Sequence, residues 1–286
     1  MMRIFLFALT NIAALALASI IFHLFGFDAA LAMRGVQFGP LLVMGAVFGF
    51  IGSFISLAIS KWMAKMSMGV RVIEQPTNDR DAWLVETVRH HAQQAGIGMP
   101  EVGIFDSPEP NAFATGASRN KALVAVSSGL LDRMTRDEAS AVVGHEVTHV
   151  SNGDMVTMAL LQGVLNTFVF ALSRVIGALV DRGDRRGGGY FVVVLISQFV
   201  LGFFATMIAM WFSRRREFRA DAGGAQLAGR DRMIGALQSL ARSHTEALPK
   251  QLAAFGIAGG EGMGLRRLLL SHPPLEERIA ALQALP

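Results

Sequence analysis

The residues whose types and spacing can do chemistry lie in one five-residue segment, which runs from His145 to His149 and reads His-Glu-Val-Thr-His. On a helix, residues four apart lie on the same face, one turn above the other. Two imidazoles so placed can bind a single zinc ion, with Glu146 beside the metal to act on a bound water. A chance match is the alternative, because the pattern is short. Thr135 and Glu138 have the spacing of a helix capping box, however, so the segment belongs to a well-formed helix.

A catalytic zinc ion usually takes three protein ligands and leaves one position open. The chain has no cysteine, so the third ligand must be another histidine or a carboxylate. The strongest candidate is Glu217, with Asp221 four residues later facing the same way to accept the N–H of a zinc-bound histidine. The alternative is a solvated helix whose carboxylates pair with the adjacent arginines. Asp154, just beyond the motif, can support the site or can serve only the terminus of a helix.

The composition indicates a chain that is partly embedded in a membrane. Of the residues, 52% are hydrophobic and 17% are charged, whereas soluble domains carry about 25% charged residues. Apolar runs long enough to span a bilayer cover residues 4–27, 38–60, 155–180 and 190–212, and we expect four transmembrane helices. The first run could be a signal peptide, but its length favours a retained anchor.

The basic residues near the ends of these runs predict the orientation. Lys61 and Lys65 follow the second run and Arg214 to Arg216 follow the fourth, where lipid headgroups are the expected partners. Both termini and the polar segments 61–154 and 213–286 are therefore expected in the cytoplasm. The net charge of +4 comes with no recognisable base-reading module, so the bilayer, and not nucleic acid, is the expected partner.

The two polar segments predict one mainly α (α+β) domain, since neither alone is long enough to bury a sufficient core. Short extended runs are expected between the first helix of this domain and the helix that carries the histidines. A glycine-rich loop at 259–264 precedes the final helix. The expected elements are helices at 83–95, 135–151, 214–227 (continuing the fourth membrane helix), 232–243 and 274–285, and strands at 101–105, 112–115 and 123–126.

These motifs, together with Pro110 to Gly116 and Ser271 to Pro274 with Arg278, resemble those of the HtpX family of bacterial membrane zinc endopeptidases. That family is related to the eukaryotic proteases that process prenylated CAAX proteins. The resemblance covers nearly the whole chain. It implies a gluzincin-like fold, one zinc ion per subunit, and a stress-response role at the bacterial cytoplasmic (inner) membrane in degrading damaged or misfolded membrane proteins.

Two further segments each allow a functional and a structural interpretation. Asn111, Ala112, Phe113 and Ala114 resemble the family's edge strand, along which a substrate could add as a further strand; an ordinary structural strand is the alternative. His272 could donate a hydrogen bond to the oxyanion that forms at the scissile carbonyl. Its alternative is a structural histidine that caps the last helix.

Two other classes of function remain open. A transporter or channel is disfavoured, because Arg174 is the one Asp, Glu, Lys or Arg in the four apolar runs. A metal-stabilised scaffold or chaperone without turnover would have no need of a general base at Glu146. These residues therefore favour an enzyme.

Overall fold

The structure is a computed structural model that describes residues 37–180, 188–247 and 270–285, with a few isolated positions before residue 37. The predicted first membrane helix, residues 4–27, and the predicted glycine-rich loop, residues 259–264, lie outside the described residues apart from those isolated positions. The chain divides into two compact units. The first comprises residues 1–56 and 156–209, and the second comprises residues 57–155 and 210–286.

Helices dominate both units. In chain order the elements are α1 (Phe38–Ser67), β1 (Arg71–Val72), α2 (Asp79–Gln94), β2 (Glu101–Phe105), β3 (Ala112–Thr115), β4 (Leu123–Ser127), α3 (Ser128–Arg133), α4 (Arg136–Asn152), α5 (Asp154–Val180), α6 (Gly188–Ala228), α7 (Arg230–Ala247) and α8 (Leu275–Gln283).

Three of the described helices, α1, α5 and α6, are long and apolar enough to cross a membrane, and the chain is a multi-pass membrane protein. Within the first unit α1 and α5 pack through small residues. A Cβ on Gly49 would lie 2.6 Å from the carbonyl oxygen of Gly163, so the two backbones touch there. Arg174 donates to the carbonyl of Phe170 and lies over its ring. Its contacts are therefore local packing. The three candidate spans contain the predicted runs 38–60, 155–180 and 190–212, and the run 4–27 stays a prediction.

The second unit is built on a four-stranded sheet of order β1-β2-β4-β3. The central strands β2 and β4 are parallel, and β1 and β3 add antiparallel at the two sides. All five residues of β4 are buried, which explains its continuous apolar sequence. Helices α2, α4, α7 and α8 contribute to one apolar core with the sheet. The strand order leaves β3 at one edge of this sheet.

Helix α4, which carries both histidines, begins and ends as its sequence predicts. Thr135 accepts a hydrogen bond from the amide of Glu138, and the carboxylate of Glu138 accepts one from the amide of Thr135. The helix ends at Gly153, whose φ of +72° suits glycine. The next residue, Asp154, already belongs to α5. This tight junction brings the carboxylate of Asp154 back towards the last turn of α4.

The element predictions for the second unit are confirmed, with two omissions. The expected helix at 214–227 is the end of α6, a single helix of 41 residues. The two-residue strand β1 and the six-residue helix α3 were not predicted, because both are too short to show a period. Helix α3 is started by Ser127, whose hydroxyl accepts from the amide of Leu130.

Candidate metal centre

The side chains of His145 and His149 meet on one face of α4. Their Nε2 atoms are 3.1 Å apart, and the rings stand nearly perpendicular at a centroid distance of 4.7 Å. His145 is buried, with 6% of its surface exposed. The spacing of one helical turn therefore brings the Nε2 atoms of the two rings to a common point, as the sequence predicts.

The carboxylate of Glu217 in α6 supplies the third ligand group at that point, with a different oxygen facing each ring. Its Oε1 lies 3.2 Å from Nε2 of His149, and its Oε2 lies 3.6 Å from Nε2 of His145. Zinc bonds to imidazole and carboxylate are about 2.0–2.2 Å long, so the ligand atoms of a tetrahedral site are roughly 3.3–3.6 Å apart. The observed separations of 3.1–3.6 Å fit one such ion, held by His145, His149 and Glu217.

A carboxylate faces the other nitrogen of each ring. Asp221 Oδ1 is 2.9 Å from Nδ1 of His145, and Asp154 Oδ2 is 2.6 Å from Nδ1 of His149. Each Nδ1–H can donate to its carboxylate, which leaves the lone pair of Nε2 free for a metal and fixes the orientation of the ring. The structure thus brings together all five residues that the sequence pointed to as ligands or their supports.

The surrounding carboxylates control protonation of the two rings. Burial lowers the pKa of His149, but hydrogen bonds to Asp154 and Glu217 outweigh burial and raise this pKa to about 10. The pKa of His145 is likewise lowered by burial and raised more strongly by Asp221 and Glu217. A metal must displace a proton from such rings, so metal affinity is expected to fall as pH falls.

Glycines allow the two ligand-bearing helices to approach closely. A Cβ on Gly223 would lie 2.3 Å from Cγ2 of Thr148, and a Cβ on Gly224 would lie 3.0 Å from the amide nitrogen of His145. A side chain at either glycine would therefore press against α4 at this crossing. The distance between Glu217 and the histidines therefore depends on residues that themselves touch no metal.

A cavity of about 980 Å³ opens onto the centre, large enough for several residues of a peptide. Glu146, half-buried, lines it beside His145. From the predicted substrate strand, Asn111 and Ala112 also line it. Phe113 instead packs on Phe105, at a ring centroid distance of 5.5 Å, because alternate residues of a strand point to opposite faces. Ala114 packs against the main core.

His272 lies on the ligand carboxylate. Its Nδ1 is 2.6 Å from Oε2 of Glu217, while 62% of its side chain is exposed. Helix α8 begins after Pro274 without a side-chain cap. The alternative interpretation, that His272 caps this helix, is therefore wrong, and its role as an oxyanion donor stays a prediction.

Arg278 of α8 is the residue at the centre to which the sequence assigned no role. Its Nε and Nη2 donate to the two oxygens of Asp221 at 2.7 and 2.6 Å. The two residues are 57 positions apart, so no local spacing points to the pair. The sequence marks Arg278 only by its place in a motif with Ser271 to Pro274.

Comparison with known proteins agrees with this geometry. Residues 78–285 match peptidase family M48. The chain is 63% identical to Protease HtpX of Xanthomonas euvesicatoria pv. vesicatoria (strain 85-10) over 99% of its own length and 97% of that protein. It is 62% identical, with the same coverage, to Protease HtpX of Xanthomonas oryzae pv. oryzae (strain MAFF 311018).

The crystal structure of S. mikatae Ste24p has a similar fold. It superposes with a TM-score of 0.63 at 18% identity, covering 99% of this chain and 67% of that one. The profile match spans most of the chain, the relatives match end to end, and the His-His-Glu cluster lies inside the matched region. The chain therefore belongs to peptidase family M48, among the HtpX proteases, and is a metalloprotease.

Proposed function

We propose that this protein is a membrane-anchored zinc endopeptidase with a gluzincin-like catalytic domain, which hydrolyses peptide bonds in misfolded or damaged membrane proteins. The observation that carries the proposal is the spacing of His145, His149 and Glu217, whose ligand atoms lie 3.1–3.6 Å apart beside an open cavity lined by Glu146. When bound there, zinc supplies Lewis-acid chemistry, polarising a carbonyl oxygen and activating water.

The side chains around the metal have separate tasks. Glu146 takes a proton from the attacking water and delivers it to the leaving amine. Asp221 and Asp154 hold the two imidazoles so that each Nε2 faces the ion. His272 remains the candidate donor to the oxyanion, and its contact with Glu217 shows how closely its ring approaches the centre.

The position of strand β3 supports the proposal that the substrate is an unfolded chain. Among the described strands β3 pairs only with β4, so its outer edge has unpaired N–H and C=O groups next to the cavity. The backbone of Asn111 is fixed by Ser127, whose amide donates to its carbonyl and whose hydroxyl accepts from its amide. A substrate can pair with such an edge only through an extended segment. This requirement favours chains that have lost their native structure.

The ends of the apolar helices support a cytoplasmic catalytic domain in the bacterial inner membrane. Trp62 and Trp211 are exposed beside basic residues, as is usual at a membrane interface. Arg215 stacks over Trp211. Lipid headgroups are the partners that the sequence predicts for Arg214 and Arg216. Their side chains instead donate hydrogen bonds to the backbone carbonyls of Leu270 and Asp154, respectively.

Reporter fusions test this orientation. A reporter that is active only in the cytoplasm should be active after Pro286 and inactive when inserted near Gly187. The opposite pattern would place the protease on the other side of the membrane. Equal activity at both positions would refute the single membrane span, residues 190–212, that is predicted between them.

Proteolysis by the purified protein tests the enzymatic proposal against a metal-stabilised scaffold. Glu146→Gln should keep zinc but lose hydrolysis of an unfolded membrane protein, because the ligands survive while proton transfer does not. Glu86→Gln, an exposed carboxylate paired with Arg89, is the matched control and should stay active. An active Glu146→Gln protein would refute the mechanism. Equal cleavage of a folded membrane protein and its destabilised variant would refute the quality-control role.

A further inference from the structure

Arg278 is a buried cation between two buried carboxylates. Its exposed surface is 6%, against 2% for Glu217 and 1% for Asp221. Removing a guanidinium from water costs free energy that only good pairing offsets. Here the fork formed by Nε and Nη2 meets both oxygens of Asp221, which is the strongest geometry available to an arginine and a carboxylate.

The fork fixes the carboxylate that orients His145. Asp221 Oδ1, which lies 2.6 Å from Nη2 of Arg278, is also the atom 2.9 Å from Nδ1 of His145. Two parallel hydrogen bonds hold the plane of the Asp221 carboxylate, and the position of Oδ1 in turn sets the rotation of the imidazole. His149 has a different arrangement, since Asp154 reaches it from the adjoining helix.

The same guanidinium lies beside the ligand Glu217. Nη1 of Arg278 is 3.6 Å from Oε2 of Glu217, the oxygen that also contacts His272. The guanidinium therefore places positive charge beside Oε2, while Oε1 lies 3.2 Å from Nε2 of His149. One side chain of α8 therefore acts on two of the three ligands without reaching the third.

We propose that Arg278 is a positioning residue of the metal centre, which acts through Asp221 and Glu217 to set the affinity and coordination geometry of zinc. The inference rests on the metal site of the proposed function. Helix α8 has its own attachment to the core through Leu282, Leu275 and Ile279. Replacing both members of a buried ion pair by uncharged groups is often neutral for stability, whereas removing one member alone costs about 3–5 kcal/mol. Comparing the single with the double variant therefore separates an effect on the metal from an effect on folding.

Zinc competition measurements on the purified full-length protein test the inference. After chelation, Arg278→Met should bind zinc about 10–100-fold more weakly than the unmodified protein, as is typical when support of a ligand is lost. Arg278→Lys should recover only part of this loss, because lysine supplies the charge without the fork. Arg80→Met, which removes a guanidinium that is paired with Asp132 and does not line the cavity, is the control and should bind normally.

Cobalt substitution separates positioning from a merely structural role. The visible absorption of bound Co²⁺ reports its ligand geometry, so Arg278→Met should change the band positions or intensities and Arg80→Met should not. Bands identical to those of the unmodified protein, or an unchanged zinc affinity, would overturn the inference.

A mutant cycle with Asp221→Asn covers the case in which Arg278→Met alone does not fold. If Arg278 acts largely through Asp221, the Asp221→Asn, Arg278→Met protein should bind zinc within about threefold of Asp221→Asn. A further loss of about tenfold or more in zinc affinity beyond that of Asp221→Asn would overturn the coupling. A failure of the unmodified protein to bind zinc at all would instead refute the proposed function.

Discussion

The crossing of α4 and α6 offers a quantitative test of how the fold sets the metal site. A Cβ on Gly223 would lie 2.3 Å from Cγ2 and 2.7 Å from Oγ1 of Thr148, about 1.1 Å short of ordinary contact at Cγ2. Rotation of Thr148 gives no relief, because either branch of the side chain meets the new methyl group and its hydroxyl already donates to the carbonyl of Gly144. Gly223→Ala must therefore push the helices apart.

The expected cost follows from two opposing effects. Overpacking a core costs about 1–3 kcal/mol, whereas alanine favours a helix over glycine by about 1 kcal/mol. The difference is a net loss of up to about 2 kcal/mol in the free energy of unfolding of the metal-free protein. A shift of up to an ångström between Glu217 and the histidines should also lower the rate of peptide hydrolysis by as much as about 10²-fold.

Thermal unfolding and hydrolysis assays on matched variants measure both effects. Gly235→Ala, in the interior of α7, is the control, since its Cβ would meet Glu138 at an ordinary 3.9 Å; it should be neutral or slightly stabilising. Thr148→Ala should partly rescue Gly223→Ala, because it leaves a Cβ to Cβ distance of 3.0 Å. A Gly223→Ala protein with normal stability and activity, or one that Thr148→Ala does not help, would refute the reasoning.

Three further predictions concern single side chains. Glu217→Ala should remove zinc severely and Asp221→Ala should weaken its affinity about 10–100-fold, as metal analysis of the purified variants can show; full zinc in Glu217→Ala would mean that the third ligand is another residue. His272→Ala should lower kcat and kcat/KM together by about 10²–10³ with zinc content unchanged, if it donates only in the transition state; a few-fold change would argue against this role. Burial lowers the pKa of His91 below its ordinary value of about 6.5, an effect that the hydrogen bond to Ser140 only partly offsets. The unfolded chain therefore binds a proton that the native ring resists, so stability should fall as pH drops below about 6.5, and His91→Gln should reduce this dependence in melts from pH 8 to 5.

The features that the sequence predicts correctly are those that depend on local spacing. Helix α4 forms where Thr135 and Glu138 cap it, and one helical turn is enough to place His145 above His149. The apolar helices are equally local, because length and composition decide whether a helix can cross a bilayer. Glu217 is indicated by the chemical need for a third ligand together with its spacing of four residues from Asp221.

Tertiary contacts decided the rest of the centre. Whether Asp154 supports a ligand or only a helix end depends on the junction at Gly153, which turns α5 back onto His149. The closeness of α4 and α6 depends on Gly223 meeting Thr148. Arg278 reaches Asp221 across 57 residues of chain. Helical periodicity is a property of neighbours in sequence, but hydrogen bonds and side-chain contacts between distant residues exist only once the helices have packed, and these contacts set the geometry of the metal site.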